Sequence, residues 1–139
     1  MVTIAVIGAS GDVGRGIVTA ASVRGWSCLA AARSESGLAS AAAEAPGPGL
    51  VTSLRCDVTD AVSLEALATA VAEAGVTCVV AAVNSAIQRM PLLQWQPEQL
   101  WNAVLANLAP HLQIARAVLG RLPADGLRLS DLWPDDWPP

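Results

Sequence analysis

At 139 residues the chain is long enough for one domain with a buried core and too short for two comfortable ones. It is 53% hydrophobic, yet Gly, Ser, Arg or Asp interrupts every apolar run before the roughly 18 residues that cross a bilayer. The net charge of −4 comes without any basic run, which leaves out the electrostatic footprint of a nucleic-acid binder. No basic residue precedes the first apolar stretch, so the N-terminus reads as a strand and not a leader, and a cytoplasmic location is expected. Tyr is absent, and Arg accounts for all 8 basic side chains, so Lys is absent too. A mechanism that needs a Tyr acid or a Lys amine cannot draw it from these residues.

Residues 2–7 are apolar and β-branched and end at glycine, the pattern of a buried strand. Residues 12–24 carry Val13, Ile17, Val18 and Ala21 at helical spacing, and Gly25 stops them. A second strand is expected over 26–32 and an Ala-rich helix over 34–45. The breaker Pro46-Gly47-Pro48-Gly49 follows, then a third strand over 50–55. Val62, Leu64, Leu67, Ala68 and Val71 mark a third helix, with Thr59 or Asp60 as its N-cap. Residues 77–83 form a continuous apolar run, as when both faces of a strand are covered. Pro97 opens a long helix that Pro110 is expected to kink or restart on its way to Gly120.

Four strand–helix alternations predict an α/β fold with a parallel sheet and right-handed crossovers. Residues 127–129 could begin a fifth strand. Residues 130–139, with prolines at 134, 138 and 139, read as an irregular Pro/Trp-rich tail after a domain at 1–129. Cys28, Cys56 and Cys78 lie in apolar segments without CxxC spacing and are expected to be buried, reduced thiols.

Gly8-Ala9-Ser10-Gly11-Asp12-Val13-Gly14 stands between a strand and a helix, the context in which a glycine loop cradles a dinucleotide pyrophosphate. Gly8 permits the turn, Gly11 the approach of backbone to phosphate, and Gly14 the close packing of the helix, whose N-terminal N–H groups favour an anion. An NAD-selective site usually has a carboxylate at the end of the second strand. Here that stretch is Ala31-Ala32-Arg33-Ser34. Arg33 can pair with a 2′-phosphate and Ser34 can add a hydrogen bond, so NADP is favoured over NAD. The missing carboxylate counts equally against S-adenosylmethionine.

The segments GASGDVG (8–14), AARS (31–34), CDVTD (56–60) and PLLQWQPEQLWNAVLANL (91–108) together resemble the short-chain dehydrogenase/reductase family. The resemblance spans nearly all of residues 1–122. It implies the Rossmann-like doubly wound form of the sheet, in three layers with strand order 3-2-1-4. It also implies an NADP-dependent oxidoreductase, with Asp57 and Val58 against the adenine and Asn107 as a remnant of the family's catalytic proton relay. The family's Asn-Asn-Ala-Gly after the fourth strand corresponds to Ala81-Ala82-Val83-Asn84, or in another register to residues 83–86; Ala81, Ala82 and Val83 are taken as cofactor contacts. The glycine spacing is GxxGxxG, with Asp12 where Gly is commoner. The family's Ser and Tyr-x-x-x-Lys have no counterpart, which implies a chain truncated after strand four or five.

Other residues suggest less. His111 has no Cys or His at metal spacing, Asp57 and Asp60 are not expected to form an acid–base pair, and Ser10 is not in a GxSxG elbow. The expected partners are a dinucleotide and a second copy or a completing chain, with no nucleic acid, membrane or metal. A non-catalytic NADP sensor, a half-enzyme completed by another chain and a non-binding remnant are the alternatives.

Overall fold

The computed structural model describes residues 2–85 and 90–123. The expected fifth strand at 127–129 and the tail at 130–139 lie outside them. Four strands, β1 (Thr3–Ile7), β2 (Ser27–Ala32), β3 (Val51–Arg55) and β4 (Cys78–Ala81), alternate with α1 (Asp12–Val23), α2 (Glu35–Ala43), α3 (Ala61–Glu73) and α4 (Pro97–Val118). The sheet is parallel throughout, in the order β3-β2-β1-β4 expected from the sequence.

Alternation along β1 and β2 sorts the core into two layers, because successive side chains point to opposite faces. Ile4, Val6, Cys28, Ala30 and Ala32 pack with Val18 and Ala21 of α1 and Leu38 of α2. Ala5, Ile7, Leu29 and Ala31 pack on the other face with Leu67 and Val71 of α3 and Ile114 and Val118 of α4. Burying a side chain the size of Leu67 or Ile114 contributes about 1.5–3 kcal/mol.

The Pro-Gly breaker is a docked segment, not a loose one. Ser22 is fully buried, and its hydroxyl accepts a hydrogen bond from the Gly47 N–H at 3.0 Å. Its carbonyl accepts from Gly25 and Gly49 at 2.9 and 3.2 Å. The loop before β3 is thereby fixed to the end of α1.

Four expectations need correction. β4 is shorter than 77–83, because its partner β1 ends at Ile7 and the ladder closes with the Ala82 N–H on the Ile7 carbonyl at 2.7 Å. Its two faces are not equally covered. Val79 and Ala81 pack toward α3 and α4, whereas Cys78 and Val80, in register with Ile4 and Val6, belong to neither cluster among the described residues. Cys78 is accordingly exposed, while Cys28 and Cys56 are buried.

The fourth correction concerns α4, which runs unbroken through Pro110. Proline removes the N–H that would reach the Ala106 carbonyl, but the turns beyond it are held by burial of Ile114 and Val118. Its start is secured by a capping box, with the Gln96 N–H donating to Gln99 Oε1 at 3.0 Å. No described helix is long and apolar enough to cross a membrane.

Candidate functional site

The glycine loop turns at Gly8, whose φ of 90° lies in the left-handed region and whose face meets the Ala82 carbonyl too closely for any Cβ. Gly14 sits directly on the Gly8 and Ala9 backbone, so the first turn of α1 is pressed onto the loop. Gly11 is different. A Cβ there meets nothing nearer than the Gly8 carbonyl at 3.5 Å, so the fold itself does not demand glycine; the open side of Gly11 is space for a ligand.

That space is a cavity of about 700 Å3 along the carboxyl ends of the strands, where open α/β sheets hold their ligands. It is lined at the end of β1 by Gly8, Ser10 and Gly11, and at the end of β2 by Arg33 and Ser34. Asp57, Val58 and Thr59 line it after β3, and Ala82, Val83, Asn84 and Ser85 after β4. Ala106 and Pro110 of α4 close one wall.

Nine of the sequence-selected residues thus come together: Gly8, Ser10, Gly11, Arg33, Ser34, Asp57, Val58, Ala82 and Val83. Asp12 and Val13 are exposed on the first turn of α1 and do not line the cavity; Gly14 is buried beneath the loop. What these three positions bring to the mouth is backbone, since the first N–H groups of a helix have no intrahelical acceptor. Ala81 is the last residue of β4 and packs into the core.

Asn107 is absent from the lining but bonded to it. Its Oδ1 accepts from the Ser85 N–H at 3.1 Å, and its Nδ2 donates to the Ser85 hydroxyl at 3.1 Å and the Ala103 carbonyl at 2.8 Å. The carboxamide therefore fixes the loop after β4 to α4. Asn84 and Ser85 fell within the family motif in one register or the other without being selected as contacts, and Ala106 and Pro110 were not selected as cavity residues. Polar residues directly after an apolar strand were an available signal for the first two; the two helical residues have none short of the packed fold.

Charge is arranged at the β2–β3 end. Arg33 is exposed at the cavity edge. Ser34 caps α2, its hydroxyl accepting from the Gly37 N–H at 3.1 Å and lying 3.1 Å from the Ser36 hydroxyl. Asp57 accepts from the Thr59 N–H at 2.9 Å and its hydroxyl at 2.7 Å. These bonds, the hydroxyl's first, hold the carboxyl below its ordinary pKa, with smaller help from the Arg33 and Arg55 charges. Cys56 borders the cavity as an inert thiol: burial, then the charges of Asp57 and Asp60, push its pKa up. Among the described residues no group of His, Cys, Asp and Glu could hold a metal ion.

A parallel sheet flanked by helices, with a glycine loop and a cleft across its carboxyl edge, defines an α/β protein of the Rossmann-like class. The profile of the family described as short chain dehydrogenase matches residues 2–126, and the chain belongs to that family. No curated protein sequence matches it significantly. Solved structures do. A short-chain type dehydrogenase/reductase from Mycobacterium ulcerans aligns with a TM-score of 0.74 at 19% identity, covering 86% of this chain and 46% of that one. An alcohol dehydrogenase from the archaeon Thermococcus sibiricus, complexed with 5-hydroxy-NADP, aligns at 0.70 and 25% identity, covering 87% and 53%. A variant of actinorhodin polyketide ketoreductase with NADPH aligns at 0.71 and 25%, covering 85% and 46%. The chain spans about half the length of these proteins.

Proposed function

We propose that this chain is the NADP-binding part of a short-chain oxidoreductase. The cofactor lies across the strand ends: adenine against Asp57 and Val58, its ribose phosphate on Arg33 and Ser34, and the pyrophosphate over Ser10, Gly11 and the first N–H groups of α1, at Asp12, Val13 and Gly14. The nicotinamide end lies toward Ala82 and Val83. The carrying observation is Arg33 beside the capped start of α2, where two sources of positive potential meet and β2 ends without a carboxylate. Two of the similar structures hold an NADP derivative and NADPH, which supports the phosphorylated cofactor.

When bound, the nicotinamide supplies a hydride. The chain's own groups bind, orient and exclude water, with Asn107 keeping the loop after β4 in place. A hydride leaves or joins a carbonyl carbon only if a proton moves at its oxygen. These 139 residues contain neither Tyr nor Lys, and both carboxamide N–H groups of Asn107 are engaged. By themselves they bind cofactor without turnover.

Arg33→Ala tests the assignment. It is expected to weaken NADPH by about 1–3 kcal/mol, the range for losing a hydrogen bond to a charged group, and to leave NADH unchanged. Equal losses for both cofactors would contradict it. The exposure of Cys78 on β4 among the described residues favours a second reading, in which another polypeptide covers that strand and brings the proton donor. Its mark is a co-purifying chain whose addition creates turnover.

A further inference from the structure

We propose that Arg15 is the positioning residue of the phosphate-binding loop, acting through the Ser10 carbonyl under the control of Glu44. This rests on the NADP reading for its ligand and on the free protein for its geometry. The Ser10–Gly11 peptide is gripped from both ends: the Gly11 N–H donates to the Gly8 carbonyl at 3.1 Å, and Arg15 Nη2 donates to the Ser10 carbonyl at 3.4 Å. Because the peptide unit is planar, holding its carbonyl and its N–H fixes the plane. The aim of the next N–H groups, at the start of α1, follows from it.

Glu44, at the end of α2, supplies the counterforce. Arg15 Nη1 donates to both of its carboxylate oxygens, at 2.9 and 3.2 Å. The same side chain buries its Nε with no hydrogen-bond partner among the described residues, a cost that an arginine free to swing into water would avoid. At its other end α2 presses on the same loop residue, since a Cβ on Gly37 would stand 2.7 Å from Ser10 Cβ. The second helix thus sets the loop twice. A partly exposed ion pair contributes little to stability, so its effect belongs to loop orientation.

Arg15→Met and Glu44→Gln test this in the full chain. In the ligand-free protein, amide hydrogen exchange at Gly11 is expected to quicken in both variants, more in Arg15→Met. NADPH is expected to bind Arg15→Met roughly tenfold more weakly, while 2′-AMP, which has no pyrophosphate, binds as to the unmodified chain. Unchanged Gly11 exchange in Arg15→Met would overturn the proposal, and so would equal losses for NADPH and 2′-AMP. If the unmodified chain bound no NADPH, the functional reading would fail and the exchange experiment would still decide the clamp.

Discussion

Cys28 lies on the sheet face under α1 and α2, and burial pushes its thiol up to about 11. Cys56 is buried as well, whereas Cys78 stands on the uncovered side of β4. Identical residue types in similar apolar segments therefore differ in reactivity through position in the sheet, which composition does not carry. A maleimide at mildly alkaline pH is expected to label Cys78 rapidly in the folded protein and all three thiols only after unfolding. Prompt labelling of two or more under native conditions would contradict this packing. Asp57 allows a second test. Folding lowers its pKa through Thr59, so its contribution to stability is full at neutral pH and is lost as pH falls through the depressed value. The difference in Tm between the unmodified chain and Asp57→Asn should therefore narrow on acidification; widening would reverse the assigned sign. At this scale, the glycine loop and Arg33 were legible from local chemistry, and Asp57 through the family resemblance alone. Ala106 and Pro110 were not, because only the packing of α4 brings them to the cavity.

Each helix is defined by its stripe and its cap. In α3, Asp60 accepts from the Ser63 N–H at 2.8 Å, and Leu67, Ala68 and Val71 are buried. Urea unfolding is expected to show a loss of about 2–5 kcal/mol for Leu67→Ala and about 1 kcal/mol for Asp60→Ala. On α4 the exposed Leu105→Ala should stay within about 0.5 kcal/mol while the chain is dilute enough to be monomeric. A cost at Leu105 as large as at Leu67 would mean that another surface covers α4 under the conditions used. Periodicity located all four helices to within two residues at the ends it specified, because their buried faces are strictly spaced. It misjudged β4, since an apolar run reads alike whether one face or two are covered, and the end of β1 that cuts it short lies some seventy residues away along the chain. Pro110 misled for a related reason: the cost of one missing hydrogen bond is visible in sequence, and the burial that offsets it is not.

For the whole molecule, alternation of strands and helices was enough to give a parallel α/β sheet with right-handed crossovers; the order of the strands followed from the family resemblance, and the sheet adopts it. What the fold leaves outside is apolar. Trp101, Leu105, Leu108 and Leu112 of α4 are 50–66% exposed, and Cys78 of β4 is exposed as well. Patches of this kind are rarely left in water, so the chain is expected to self-associate. Light scattering during gel filtration, from low to high micromolar, should show a mass above that of one chain, rising with concentration. A monomer mass throughout would contradict it.

The central claim is that the cleft across the strand ends holds NADP and selects it by its 2′-phosphate. Isothermal titration of the purified chain with NADPH and with NADH tests this most directly. Saturable one-to-one binding of NADPH, at least tenfold tighter than NADH, a difference of about 1.4 kcal/mol, is the expected result. Equal affinities, or no heat with either cofactor, would contradict the account.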